Sequence, residues 1–123
     1  RVVDASVLAA WCFDEIRAAE AGAQLEGWDL YAPSLLAYEL TSIARRKATV
    51  YPQKLGVLAE ALQTALALPI HWIEVDHAEV LRLALDVNLT TYDASYLHLA
   101  RALGASLATF DQRLARAARN VGA

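Results

Sequence analysis

The stretch VVDASVLAAWCF at residues 2–13 contains the strand-to-helix step that decides the fold of this protein. Its first two residues are β-branched and predict a short strand, and an apolar pattern typical of a helix follows over residues 5–13. Asp4 stands between the two elements. The chain has 123 residues, the usual length of one domain, and we expect a single domain over residues 1–123.

Short β-type runs and helical patterns alternate along the rest of the chain. Further strands are predicted at residues 30–32, 70–75 and 105–109, and Pro33 is expected as the first residue of a helix. The predicted helices cover residues 15–27, 34–47, 52–66, 77–87, 92–103 and 112–119. Strands that alternate with helices form a parallel sheet covered on both faces. We therefore expect a three-layer α/β/α fold.

Composition argues against several classes of protein. Hydrophobic residues make up 57 %, which is sufficient for a core without disulfides, and the single cysteine, Cys12, can form no internal bridge. A cysteine in an apolar run is typical of a reducing compartment, and we find neither a secretory signal nor an apolar segment of about 20 residues. These features predict a cytoplasmic protein that does not enter a membrane. The net charge of −3 is unusual for a nucleic-acid-binding protein, because such proteins commonly present a basic surface.

Two aspartates occupy positions where ligands commonly bind. Asp4 and Asp111 each follow a predicted strand, and the carboxyl ends of parallel strands meet at the edge of the sheet that forms ligand sites. Either residue could instead cap the helix that follows it, a role that aspartate fills well. For each residue alone, the two interpretations are about equally strong.

Two further acids interrupt apolar helical faces. Glu39 lies four residues after Leu35 and four before Ile43, so that a carboxylate shares a helical face with apolar side chains. A buried salt bridge with an arginine would also explain this position. Asp93 begins another apolar face, which continues with Tyr96, and it could serve there as a helix cap.

Together the four acids predict a metal site. Clustered carboxylates repel one another unless a cation lies between them, and Mg²⁺ and Mn²⁺ prefer oxygen ligands. His71, His77 and His98 lack the spacing of a zinc site. Neither a Walker loop nor a Gly-x-Gly-x-x-Gly motif is present, which argues against a nucleotide cofactor.

Four short motifs resemble those of the PIN-domain family. They are, in chain order, Val-Val-Asp-Ala-Ser at 2–6, Tyr-Glu-Leu at 38–40, Tyr-Asp-Ala-Ser-Tyr at 92–96 and Ala-Thr-Phe-Asp at 108–111. Their order and separation are similar in particular to the VapC-type toxins of bacterial toxin–antitoxin pairs. Ser6 and Thr109 match hydroxyl positions near the acids and are expected to orient them. Family members commonly continue into one more short strand, so the resemblance implies a central parallel sheet of four or five strands.

The resemblance also implies a function. It predicts a metal-dependent endoribonuclease, the toxin of a type II toxin–antitoxin system, in which Asp4, Glu39, Asp93 and Asp111 are catalytic residues and ligands of Mg²⁺ or Mn²⁺. The implied partners are an RNA substrate, a cognate antitoxin that holds the enzyme inactive, and a second copy of the chain in a homodimer. Cleavage by direct attack of water is expected to leave a 5′-phosphate and a 3′-hydroxyl.

Two other functions are compatible with parts of the pattern. A PIN-fold module without catalytic activity could act by sequestering RNA or protein, although a complete set of four acids argues against lost activity. A phosphohydrolase with Asp4 as nucleophile commonly has a second aspartate two residues later, where this chain has Ser6. The basic run Arg45-Arg46-Lys47 could contact phosphates, but such a run is more often the solvated end of a helix.

Overall fold

Short strands and longer helices alternate through residues 1–122, the part of the chain that the computed structural model describes. In chain order the elements are β1 (Val2–Val3), α1 (Ala5–Cys12), α2 (Ala18–Leu25), β2 (Leu30–Pro33), α3 (Leu35–Val50), α4 (Leu55–Leu66), β3 (Ile70–Ile73), α5 (His77–Val87), α6 (Thr91–Leu103), β4 (Leu107–Ala108) and α7 (Gln112–Asn120). A 3-10 turn, Pro52–Lys54, joins α3 to α4. This order confirms the predicted alternation of elements. Ala123, the last residue of the predicted domain, lies outside the described residues.

All strand pairs in the sheet are parallel, and the strand order is β3-β2-β1-β4. Val2 pairs with Tyr31 on one side and with Leu107 on the other, so β1 lies in the interior of the sheet. Residues 1–122 thus form a sheet of four strands, the lower of the two expected numbers. Because β1 and β4 are neighbours, Asp4 and Asp111 follow two adjacent strand ends.

The core fills the space between the sheet and its helices, as expected for a three-layer α/β/α fold. Helix α6 packs against β1 and β2 with α5 and α7 beside it, while α1 contacts α2, α3 and α4. The fully buried side chains include Val2, Leu8, Leu36, Leu97 and Leu114. None of the helices in residues 1–122 combines the length and the apolar character that crossing a membrane requires.

Several predicted element boundaries differ from the structure by two or three residues, and two differences have a clear local cause. Pro33 is the last residue of β2, where it pairs with Ile73, and not the first residue of a helix. Proline is tolerated there because the fixed φ of its ring suits both an extended strand end and a helix start. The helix expected over residues 15–27 begins only at Ala18, since Asp14 adopts a left-handed φ of 50° that turns the chain after α1.

Candidate active site

Asp4 is a carboxylate with 5 % exposure at the point where β1 passes into α1. Its Oδ1 accepts hydrogen bonds from the Ser6 hydroxyl (2.7 Å) and from the backbone N–H of Val7 (3.2 Å), and the Thr109 hydroxyl donates to Oδ2. Burial raises the pKa of Asp4, while these hydrogen bonds act in the opposite direction. Asp4 therefore does cap α1, but a capping role alone does not explain hydroxyl donors to both of its oxygens.

The two hydroxyls connect Asp4 to the loop between β4 and α7. The Ser6 hydroxyl that donates to Asp4 also accepts from the backbone N–H of Phe110 at 2.9 Å. The Thr109 hydroxyl likewise accepts from the N–H of Asp111 at 3.0 Å. Each hydroxyl is thus both donor and acceptor, and together they fix the loop relative to the carboxylate. The structure places Ser6 and Thr109 beside the acids, where their orienting role was predicted.

Asp111 is an exposed side chain that begins α7. Its Oδ1 accepts from the backbone N–H of Leu114 at 3.0 Å, so Asp111 is the N-cap of this helix. The capping interpretation is correct for Asp111 as for Asp4. It does not exclude a functional role, because the exposed carboxylate remains accessible to a ligand.

Glu39 is half-buried on α3 and contacts α6. Its Oε1 accepts a hydrogen bond from the hydroxyl of Tyr96, which is only 1 % exposed. Burial raises the pKa of Glu39, and the negative charges of Asp93 and Asp4 raise it further, whereas the Tyr96 hydrogen bond lowers it. Within residues 1–122 no cation lies within 4.0 Å of Glu39, so the salt-bridge alternative was wrong.

Tyr96 is a site residue that the sequence did not reveal. Its pKa is raised, first by burial and then by the charge of Glu39, so the hydroxyl keeps its proton and remains a donor. The sequence pattern assigned Tyr96 to an apolar face only. Its hydroxyl could have indicated a role in the site, because a buried tyrosine usually needs a hydrogen-bond partner.

Asp93 is the third residue of α6 and half-buried. The cap of this helix is Thr90, whose hydroxyl accepts from the N–H of Asp93 at 3.1 Å. Asp93 is therefore not the cap residue, although it does lie in the first turn, where a negative charge is favourable. Burial raises the pKa of Asp93 and the charge of Asp111 raises it further, while Thr90 and Arg113 act to lower it. Thr90 and Arg113 were not expected near the site.

All four acids interact electrostatically. The charges of Asp4 and Asp93 raise the pKa of Glu39, and the charge of Asp111 raises the pKa of Asp93. Across the described part of the chain, no cationic nitrogen lies within 4.0 Å of any of them. The protein therefore relieves the repulsion among these carboxylates only in part, through the more distant charge of Arg113.

The donor set fits a hard divalent cation in its chemistry, because every donor is a carboxylate oxygen. No three acidic, histidine or cysteine side chains in residues 1–122 are grouped compactly enough to hold one ion alone. This spacing agrees with how proteins usually hold Mg²⁺, through one or two carboxylates, with water and substrate phosphate as the remaining ligands.

Comparison with known proteins identifies the family. Residues 1–120 match the PIN domain. The chain belongs to the PIN-domain family. It is 36 % identical over 123 residues to Ribonuclease VapC3 of Pyrobaculum aerophilum, an alignment that covers 93 % of this chain and 91 % of that protein. The four motifs of the resemblance therefore belong to a PIN domain of VapC type, as predicted.

A solved structure supports the fold of this PIN domain. The crystal structure of PAE2754 from Pyrobaculum aerophilum superposes with a TM-score of 0.76 over 98 % of this chain and 90 % of that one. The sequence identity is 24 %, so this likeness shows the fold alone. It confirms the predicted PIN-like α/β/α architecture.

Proposed function

We propose that this PIN domain is a metal-dependent endoribonuclease, the toxin component of a type II toxin–antitoxin system. The observation that carries the proposal is a set of mutually repelling carboxylates that form no salt bridge with any residue of the described chain. Perturbed pKa values at one end of a sheet are typical of functional sites. The ribonuclease name of the VapC3 relative supports RNA as the substrate.

Asp4, Glu39, Asp93 and Asp111 would hold the metal, Mg²⁺ or Mn²⁺. A divalent ion bound there supplies a Lewis acid that polarises the scissile phosphate and lowers the pKa of the attacking water. A carboxylate of this set that is not bound to the ion would accept the proton of that water. Direct attack of water leaves a 5′-phosphate and a 3′-hydroxyl.

The neighbouring side chains position these carboxylates. Ser6 and Thr109 restrain both oxygens of Asp4, and the Tyr96 hydroxyl restrains one oxygen of Glu39. Such partners commonly orient the groups that bind a metal. Bound cations would also reduce the electrostatic repulsion between RNA and a protein whose net charge is −3.

The proposed partners are a cognate antitoxin and a second copy of the chain. Large apolar side chains are exposed on α4 (Leu55 and Val57) and on α5 (Leu81 and Leu85), and surfaces of this kind favour association. An antitoxin arginine could approach the acids bidentately and compete with the metal. Light scattering at micromolar concentration should show a dimer, and a monomer alone would contradict this part of the proposal.

The proposed compartment is the cytoplasm. Cys12 is a free cysteine, which is typical of proteins in a reducing compartment.

Cleavage of RNA tests the proposal directly. Protein freed of partner and metal is incubated with single-stranded RNA in Mg²⁺, Mn²⁺ or EDTA, and the ends of the products are mapped. We expect cleavage only with a divalent cation, leaving 5′-phosphate ends. Full activity in EDTA would contradict the metal-dependent mechanism. RNA binding without cleavage in either metal would favour the alternative, a catalytically inactive PIN-fold module that sequesters RNA.

A further inference from the structure

A cavity of about 340 Å³ opens beside the acids, at the carboxyl ends of β2 and β3. Pro33 and Ile73, the last residues of these strands, form part of its wall. The starts of α3, α5 and α6 close the cavity with Ser34, His77 and Tyr92. Cavities at this edge of a parallel sheet commonly bind ligands.

Two of the helices that line the cavity, α3 and α6, also carry acids of the cluster. Tyr92 directly precedes Asp93 on α6. Leu35, another lining residue, lies on the same face of α3 as Glu39, roughly 6 Å away along the axis at about 1.5 Å per residue. A group that entered the cavity would therefore lie close to a phosphate held at the acids.

The chemistry of the wall suits a nucleobase better than a phosphate. Tyr92 is 61 % exposed and offers an aromatic face at the cavity. Ser34 and His77 supply polar groups, and Glu74 supplies a carboxylate that can accept from a base N–H but repels phosphate. Among the described residues that line the cavity there is no lysine or arginine. Flat aromatic and polar surfaces of this kind recognise unstacked bases of single-stranded RNA.

We propose that this cavity binds one base of a single-stranded RNA substrate, adjacent to the phosphodiester that is cleaved, with Tyr92 as the stacking platform. The inference rests on the proposed ribonuclease function and adds a specificity site to it. Stacking tolerates any base, so Tyr92 provides affinity, whereas Ser34, His77 and Glu74 contact the polar edge of the base and set the preferred one. Single-stranded RNA is preferred over base-paired RNA, because a paired base must first break its pair to enter the cavity.

Substitution of Tyr92 provides the first test. We expect Tyr92→Leu to lower kcat/KM roughly five- to a hundredfold on single-stranded RNA, the effect of losing one stacked base, while Tyr92→Phe keeps the aromatic face and most of the activity. Tyr51→Leu is the matched control, since Tyr51 is 49 % exposed at the far end of α3. Wild-type activity of Tyr92→Leu would overturn the proposal, as would an equal loss in Tyr92→Phe.

An abasic scan locates the base and separates stacking from a structural effect. In wild type, removing one base at a fixed position next to the cleavage site should lower kcat/KM, and Tyr92→Leu should be insensitive to the same removal. If both proteins lose activity equally at that position, the cavity does not bind the base. Dependence of cleavage on metal is measured on the same RNAs, so a failure here leaves the ribonuclease proposal standing.

Binding in Mg²⁺ covers the case in which no cleavage is seen. Fluorescence anisotropy with a labelled oligoribonucleotide should show weaker binding to Tyr92→Leu than to Tyr51→Leu. Equal binding to both variants, or no binding to either, would overturn the proposal. Weaker binding of an arginine-containing peptide by Tyr92→Leu, with RNA binding unchanged, would assign the cavity to a protein partner instead.

Discussion

The two ends of the sheet differ in cavity size and in how their charges are partnered. At the amino ends of β2 and β3 a cavity of about 850 Å³ is lined by Trp11, Trp28 and Asp29, whereas the cavity at the carboxyl ends has about 340 Å³. The guanidinium of Arg1 at the amino end hydrogen-bonds to Gln24 and lies 3.8 Å from the ring centre of Trp28. The acids at the carboxyl end accept hydrogen bonds from hydroxyls, but no cationic nitrogen of the described residues lies within 4.0 Å of them.

If the proposed function is correct, the larger cavity is not the one beside the chemistry. Asp29 at the amino end is exposed, and water stabilises its charge. Asp4, Glu39 and Asp93 at the carboxyl end have pKa values raised by burial, and neighbouring carboxylates raise those of Glu39 and Asp93 further. The smaller cavity adjoins the end where charge is unbalanced, which is the feature that a cationic cofactor can relieve.

The largest expected difference between the two ends is in catalysis. Asp93→Asn should lower RNA cleavage at least about a hundredfold, since it removes one charged group from the site. Asp29→Asn, the same change at the amino end, should leave the rate within about twofold. Initial rates in saturating Mg²⁺ measure both. Comparable losses in the two variants would remove the basis for assigning catalysis to the carboxyl end.

The hydrogen bonds to Asp4 should contribute measurably to stability. Thr109→Val keeps the shape of the side chain but removes a donor to the buried carboxylate, and should lower the free energy of unfolding by about 1–3 kcal/mol. Thr49→Val is the control, because the Thr49 hydroxyl bonds only to an exposed helix carbonyl. Denaturant titrations in EDTA compare the two. If the Thr49 variant is destabilised as much as the Thr109 variant, the bond to Asp4 is not the cause.

The raised pKa values predict how the stability of the metal-free protein depends on pH. Because folding raises the pKa values of Asp4, Glu39 and Asp93, the folded chain binds protons more tightly than the unfolded chain. The free energy of unfolding should therefore increase as pH falls from neutral to about 5, and decrease as pH rises through the folded pKa values. Glu39→Gln should flatten this dependence, and Glu60→Gln, an exposed control, should not. The same slope in all three proteins would contradict the assignment.

The smallest expected effect is on stability, and it distinguishes charge repulsion at Asp111 from the role of Asp111 as a helix cap. Asp111 and Asp76 are both N-caps that accept a backbone N–H, but only Asp111 raises the pKa of Asp93. Asparagine caps about as well as aspartate, so Asp111→Asn should stabilise the protein in EDTA by about 0.5 kcal/mol or less. Asp76→Asn should give no gain. Thermal melts should also show weaker stabilisation of Asp111→Asn by Mn²⁺, and identical melts for both variants would argue against a shared site.

Most of the fold could be predicted because its signals are local. The apolar pair before Asp4 and the glycine after α6, Gly104 with a φ of 61°, mark element ends that the structure confirms. Pro33 was assigned to a helix because a single residue cannot distinguish a strand end from a helix start when both accept its φ. The pairing of Pro33 with Ile73 on the neighbouring strand makes it a strand end.

The acids of the site were predictable, but their partners were less so. The carboxylates were found because each stands at a strand end or in an apolar face, and both features can be read from spacing. The Tyr96–Glu39 hydrogen bond joins residues 57 positions apart, and no periodicity encodes such a contact. Thr90 displaced Asp93 as the cap of α6 because threonine also caps well and lies one residue before the helix.

The hydrogen bonds from Thr109 to Asp4 and from Phe110 to Ser6 join positions more than a hundred residues apart. A chain emerging from the ribosome therefore presents Asp4 long before the loop that orients it has been synthesised. Until residues 107–111 are free to pair beside β1, the interior strand has only one of its two neighbours. Full assembly of the acids therefore waits until the loop before α7 has left the ribosome.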